Sequence, residues 1–291
     1  MQQQVLVCGA NGQLGLEFLT LAPKDGHLHF HFADRQQLDI TQYDEVARYL
    51  SLHQIHYCIN CAAYTAVDRA EAEAETAQRV NVEAVQALAR ACARHGVLLV
   101  HFSTDYVYHS QQNRPFHEDA PTQPQSVYAQ TKLEGDQLAL AENPHTLIFR
   151  TSWVYSSFGH NFVKTMLRLA QERDSLNVVY DQIGSPTYAH DLAKAILELL
   201  HRDAAGQIAL RDLAGIYHYS NEGVCSWYDL AKAVFQLKGI PCQVLPIESK
   251  DFPSAAQRPP YSVLSKEKFK TTFGLDIPYW RDSLAACLHL L

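Results

Sequence analysis

A Rossmann-type α/β fold, a doubly wound parallel sheet with a smaller, interwoven C-terminal lobe, is predicted for this chain of 291 residues. Three observations predict it. Short apolar runs alternate with helix-like stretches of crossover length up to about Arg150. The first apolar run ends in a glycine-rich turn that opens a helix. Beyond Arg150 the alternation loosens, and proline collects at Pro253, Pro259 and Pro260. The expected division is a first domain over 1–150 and a mainly separate lobe over 151–291. Segments near 176–184 and 216–236 are expected to return to the first domain.

The elements follow in order. "QVLVCGA" reads as a strand and "GQLGLEFLTLA" as the helix behind it. "HLHFHFAD" alternates through Leu28, Phe30 and Phe32 as a strand does, and "QYDEVARYLSLH" has helical spacing. "YCINCAA" is a third strand, followed by one long helical region over roughly 68–95, and "GVLLVHFST" is a fourth strand. "VYAQTKLEGDQLALA" is helical and "TLIFRTSWVY" is a strand. In the second half "NFVKTMLRLAQE", "AHDLAKAILELL" and "WYDLAKAVFQLKG" read as helices, "LNVVYD" and "GIYHYS" as strands. No repeat or low-complexity tract interrupts them.

Composition narrows the function. The 24 basic and 31 acidic side chains leave a formal charge of −7, without a basic run, which argues against nucleic-acid binding. No apolar run approaches the roughly 18 residues that span a bilayer, and no secretory leader is visible, so a cytoplasmic protein is expected. The seven cysteines are scattered. Cys58 and Cys61 form a C-x-x-C, but "HYCINC" reads as a buried strand whose residues three apart face opposite ways, so buried thiols are expected rather than a metal or redox site. The alternating histidines of "HLHFH" have no carboxylate or cysteine partner nearby in sequence, and no metal is expected.

"CGANGQLG" places Gly9, Gly12 and Gly15 between the first strand and the first helix. Such a turn tolerates positive φ, lets a pyrophosphate approach the backbone and packs helix against strand, while the helix N-terminus meets the phosphates. The turn marks 1–150 as a dinucleotide-binding domain. At the end of the second strand, Asp34 would favour a free ribose 2′-hydroxyl and Arg35 a 2′-phosphate. NADPH and NADH both stay open as cofactors, with Arg35 leaning towards NADPH.

The fourth strand ends in "STD", Ser103, Thr104 and Asp105, where the carboxyl ends of strands line a ligand crevice. "SVYAQTK" then puts Tyr128 and Lys132 one helical turn apart on one face. Hydride addition to a ketone builds alkoxide character that needs a proton. A phenol of pKa about 10 can supply it, a nearby ammonium would lower that pKa, and a hydroxyl can hold the carbonyl in line. Thr104, Tyr128 and Lys132 with a nicotinamide are a chemically sufficient set.

These motifs carry a family resemblance. "GANGQLG", "LDIT", "NCAAYTAVDRAE", "FSTDYVY", "YAQTKLEGD", "RTSWVY", "NFVKTML", "DQIGSPT", "GIYHYS" with "SWYDLA", and "RPPYSVLS" occur in the order found in extended short-chain dehydrogenases/reductases acting on nucleotide sugars, which the chain resembles over nearly its whole length. The resemblance implies reduction of the C4 ketone of a dTDP-linked 6-deoxy-4-hexulose, with 151–291 as the substrate-binding lobe. It implies Thr104, Tyr128 and Lys132 as the catalytic set, Tyr128 protonating the C4 oxygen and Lys132 holding the nicotinamide ribose. Gly12, Gln13, Leu14, Asp39, Ile40 and the stretch Ala62, Ala63, Tyr64, Thr65 would contact the dinucleotide. Val67, Thr104, Asp105, Tyr128 and Trp153 would meet the sugar nucleotide. Arg258, stiffened by two prolines, is expected at the substrate diphosphate. A homodimer is open. Glu17 matches a position that bridges some family dimers through magnesium, but His190 and Asp191 depart from the acidic pattern, which argues against that mode. Two rivals remain at this point: a redox-neutral epimerase or dehydratase of the same superfamily, and a non-catalytic NADP-binding regulatory subunit.

Overall fold

The computed structural model describes residues 2–22 and 27–291. Its elements run β1 (Gln3–Cys8), α1 (Gln13–Leu21), β2 (Leu28–Ala33), α2 (Tyr43–Leu52), β3 (Ile55–Asn60), α3 (Val67–Ala70), α4 (Ala74–Gln78), α5 (Ala84–Arg94), β4 (Leu98–Thr104), α6 (Val127–Glu142) and β5 (Thr146–Thr151). The second half adds β6 (Val154–Tyr155), α7 (Phe162–Leu169), β7 (Ser175–Val179), β8 (Ile183–Gly184), β9 (Thr187–Tyr188), α8 (Ala189–Ala204), β10 (Gly215–His218), β11 (Cys225–Ser226), α9 (Trp227–Lys238), β12 (Gln243–Ile247), α10 (Glu267–Phe273) and α11 (Trp280–Leu288).

Six strands form one sheet in the order β10-β5-β4-β3-β1-β2, every pair parallel. Alternate strand residues face opposite layers, as the two-residue side-chain period requires. Val5, Val7, Ile59, Val100 and Phe149 pack towards α1, α8 and α10, whereas Leu6, Cys58, Leu99 and Ile148 pack towards α2, α5 and α6. The strand order reverses between β1 and β3, and the crevice at such a switch point is where open α/β sheets bind ligands. A third apolar cluster, built by α7, α9, α11, β7 and β12, is the core of the smaller lobe.

Four expectations need correction. The segment near 176–184 does not join the main sheet: β7 pairs in parallel with β12, and β8 pairs antiparallel with β11. Only every second residue of "LNVV" is buried at first, so it needs one covered face, and β12 supplies the neighbour. Of the segment near 216–236, only β10 enters the main sheet, beside β5, while β11 and α9 stay in the small lobe. The expected single helix over 68–95 is broken by loop residues after α3 and by a π-helical turn, Arg79–Glu83. "TLIFRTSWVY" likewise divides into β5 and β6, because Trp153 turns the chain through a left-handed conformation, φ +48°.

Candidate active site

Gly9 and Gly15 occupy positions that only glycine fits. Gly9 has φ +73°, and a Cβ on it would lie 2.6 Å from the Ala62 nitrogen, so only glycine lets β1 and β3 end this close. A Cβ on Gly15 would meet the Gly9 carbonyl oxygen at 2.5 Å, which fixes α1 against the turn. Gly12 is the N-cap of α1 and supplies no side-chain capping bond, so the first amides of the helix point outward unused by the cap. An anion would meet them and the positive end of the helix dipole.

In front of this turn opens a cavity of about 870 Å³, lined by Gly9, Gly12, Arg35, Asp39, Ile40, Ala62, Ala63 and Tyr64, together with Asn11 and Asp34. Asn11 donates to Asp34 at 2.8 Å, and the other Asp34 oxygen accepts the amides of Gln36 and Gln37. Arg35 is largely exposed, its Nε 3.7 Å from Asp39. Burial works against the Asp39 carboxylate, but hydrogen bonds from Thr41 and the Arg35 charge outweigh it and hold its pKa below the usual range. Asn81, in the π-helical turn, accepts from the Tyr64 amide at 2.8 Å and donates to the Tyr64 carbonyl at 3.1 Å. A functional π turn is a common use of that geometry.

Besides the catalytic pair Tyr128 and Lys132, four expected dinucleotide residues lie off the cavity wall. Gln13 leans to the small lobe and accepts from Asn161 at 2.8 Å. Leu14 packs on the core beneath the sheet, Gly15 is buried in the turn, and Thr65 is exposed beside Tyr64. A phosphate at the start of α1 would meet the amides of Gln13, Leu14 and Gly15, which leaves the side chains of Gln13 and Leu14 for other contacts.

The chemistry-bearing side chains gather where β4 ends and α6 begins. Ser126 caps α6 by accepting from the Ala129 amide at 3.2 Å, which places Tyr128 in the first turn and Lys132 one turn on. Thr104 accepts the Tyr106 amide at 3.2 Å and donates to Asp105 at 3.2 Å, and its hydroxyl eases ionisation of the Tyr128 phenol. Ser103 faces the other way and donates to Asp136 at 2.7 Å, so it does not share the site with Thr104.

Burial raises the Tyr128 phenol to about 12, with the Thr104 bond opposing and Asp105 and Asp136 adding to the rise. The expected lowering by Lys132 is therefore not what this arrangement gives. The Lys132 amine turns into the sheet instead, donating to the Phe102 carbonyl at 2.7 Å and lying 3.2 Å from His101. Burial pulls Lys132 down to about 8, with Asp136 opposing. Asp105 is pushed up to about 7 by burial, against hydrogen bonds from Ser262 and Thr104.

A second cavity, of about 750 Å³, adjoins Tyr106 and runs into the small lobe between Phe162, Arg173, Gln182, Trp227 and Arg258. Tyr106 stands edge-on to Tyr128, centroids 6.0 Å apart, and so links this cavity to the phenol. Arg258 is held by Asp68 of α3 at 2.6 Å, with its guanidinium on the cavity wall. Val67 opens the same short helix. Trp153 stacks face to face on Trp227 at 3.7 Å, and a Cβ on Gly184 would strike its ring at 2.7 Å, so its ring is pinned between them and its role is first that of packing. Tyr106, Phe162, Arg173, Gln182 and Trp227 were not singled out from sequence, because none sits in a motif whose spacing marks it.

Glu17 is buried and occupied within the chain, accepting from Ser156 and lying 3.0 Å from His190 Nδ1. Among the described residues, no three His, Cys, Asp or Glu side chains cluster so as to hold a metal. No helix among them is long and apolar enough to cross a membrane. Cys58 is buried beside Cys8, and its thiol, together with burial, pushes the Cys8 thiol well above its ordinary pKa.

The family model "RmlD substrate binding domain" matches residues 3–291. The chain belongs to this family. The RmlD family relatives include a dTDP-4-dehydrorhamnose reductase of Aggregatibacter actinomycetemcomitans, 39% identical over 97% of both chains. A crystal structure of a dTDP-4-dehydrorhamnose reductase from Clostridium acetobutylicum superposes with a TM-score of 0.92 at 38% identity, covering 99% of each chain. That of Bacillus anthracis, in complex with NADP, gives 0.92 at 35% identity and covers both chains fully. The RmlD family fold is thus present end to end, including the small lobe.

Proposed function

We propose that the chain is an NAD(P)H-dependent dTDP-4-dehydrorhamnose reductase, reducing the C4 ketone of dTDP-6-deoxy-L-lyxo-4-hexulose to dTDP-L-rhamnose. The observation that carries this reading is the full-length similarity to such reductases, in a chain that sets Thr104 at the end of β4 and Tyr128 and Lys132 one turn apart at the start of α6. The first cavity suits the dinucleotide: its glycines admit the pyrophosphate backbone, its helix N-terminus is uncapped, and Asp34, Arg35 and Asp39 surround the ribose end. NADPH or NADH, when bound, supplies the hydride.

Thr104 holds the substrate carbonyl through its hydroxyl, and Tyr128 gives its phenolic proton to the oxygen as negative charge builds there. A phenol lifted to about 12 is fully protonated at neutral pH, as a donor must be. Lys132, one helical turn along from the phenol, anchors the ribose side. Arg258 and Arg173 supply cationic donors for the diphosphate in the second cavity, which offsets the acidic charge of the whole chain. Trp227 and Phe162 offer flat apolar walls for the base.

Purified protein given the keto-sugar nucleotide and NADPH should consume nicotinamide in equimolar step with dTDP-L-rhamnose formed. Sugar conversion without cofactor consumption would instead mean an epimerase or dehydratase. Oxidation of NADPH without any added partner protein excludes a regulatory subunit.

A further inference from the structure

Behind Lys132 lies a buried polar cluster that the steps above leave unused. His101 of β4 is 1% exposed, as is Asp136 of α6, and Lys132 is 2% exposed. Asn60 of β3 completes the group, its Nδ2 3.2 Å from His101 Nδ1. The Asn60 orientation is fixed from its other side, because its Oδ1 accepts the Ala62 amide at 3.1 Å. An amide nitrogen can only donate, so His101 Nδ1 must present a lone pair, and a neutral ring then carries its proton on Nε2. A doubly protonated ring would set N–H against N–H at Asn60, and burial with the Lys132 charge holds His101 well below its ordinary pKa.

The Nε2–H faces Lys132 Nζ at 3.2 Å and lies 3.8 Å from Asp136 Oδ1, an oxygen with no hydrogen-bond partner. The other Asp136 oxygen takes Ser103 and the Arg150 guanidinium. An ammonium has donors only, so against this ring it meets a donor with a donor. A neutral amine has a lone pair, accepts the ring N–H and keeps its own bond to the Phe102 carbonyl. The titratable groups facing Lys132 are thus Asp136 from its own helix and His101 from β4, with Arg150 of β5 acting through Asp136.

We propose that His101 is a positioning residue for the reduction: Asn60 pins its ring so that an N–H, not a lone pair, meets the Lys132 amine, and this favours the amine over the ammonium. The ring thereby loosens the proton of the Lys132 ammonium, making it a readier donor one helical turn from Tyr128. The claim rests on the role given to Lys132 above.

Two measurements on the full chain test it. In the pH profile of kcat, His101→Leu removes the opposing N–H while keeping the site dry, so the alkaline limb should move upward by about half to one unit. A limb that moves down, as loss of an acceptor would cause, or that stays in place, overturns the proposal. Nitrogen NMR of the ring-labelled protein reads the tautomer itself. One histidine, identified by its loss in His101→Leu or, should that variant not fold, in His101→Gln, should carry its proton on Nε2 and stay unchanged between about pH 5 and 8. A ring protonated on Nδ1 overturns the proposal. The NMR arm needs no turnover, so failure of the His101 assignment and failure of the reductase reading give separate results.

Discussion

Gly135 lies in the middle of α6, where glycine costs about 1 kcal/mol of helix propensity relative to alanine. Its reason is the π-helical turn packed against it. A Cβ at 135 would lie 2.1 Å from the Asn81 carbonyl oxygen, against an ordinary closest C···O approach of about 3.3 Å. Gly135→Ala therefore forces the turn back by more than about 1 Å. The turn cannot yield freely, because the Asn81 side chain bonds both backbone groups of Tyr64 and the Thr131 hydroxyl. Overpacking of this kind costs about 1–3 kcal/mol, and the upper part of that range less the regained propensity leaves a net loss of about 1–2 kcal/mol. In thermal unfolding of a chain this long, Tm should fall by roughly 2–5 °C. Displacing Asn81 also shifts Tyr64 on the cofactor cavity wall, so KM for NADPH should rise several-fold while kcat stays nearly unchanged. A variant that gained stability at unchanged KM would refute the reasoning, since the glycine would then owe nothing to the close approach.

Three further outcomes are expected. Arg150→Met strips Asp136 of its buried cation and should cost about 3–5 kcal/mol in urea unfolding, with part of the loss recovered by adding Asp136→Asn; an undiminished midpoint would contradict the pairing. Arg35→Ala should raise KM for NADPH roughly tenfold and leave NADH alone, as loss of one charge-assisted phosphate contact implies, and equal effects on both cofactors would dismiss the preference. Asp105 has a folded pKa of about 7, raised from the unfolded value, so its contribution is complete below the unfolded pKa and is lost as pH rises through about 7. Asp105→Asn does not titrate there, so its stability relative to the native chain should climb by a few kcal/mol between about pH 4 and 7, and a difference that stays flat would count against the buried carboxyl.

Much of the sheet was legible in the sequence because parallel strands are buried on both faces and read as apolar runs between helices of crossover length. The glycine turn and the pair Tyr128 and Lys132 were legible for a local reason: a turn and an i,i+4 face are set within a few residues. β12 was not read as a strand, since "QVLPI" carries Pro246 and only its pairing with β7 makes it one. The break in 68–95 was hidden because Asn81 earns its π turn by reaching Tyr64 and Thr131, contacts spaced 17 and 50 residues away. Asn60, His101 and Asp136 come from three separate elements, and no spacing announces that they meet. The expected tuning of Tyr128 by Lys132 failed for a related reason: helical spacing gives a shared face, but the Phe102 carbonyl and His101 decide where the amine points.

The central claim is that Tyr128 delivers the proton in a nicotinamide-dependent reduction at C4. Its most direct test is kcat of Tyr128→Phe with dTDP-4-dehydrorhamnose and NADPH, in protein shown by unfolding to be as stable as the native chain. Losing a general acid should lower kcat by about 10²–10⁴-fold while cofactor binding is retained. Turnover at the native rate would contradict the account.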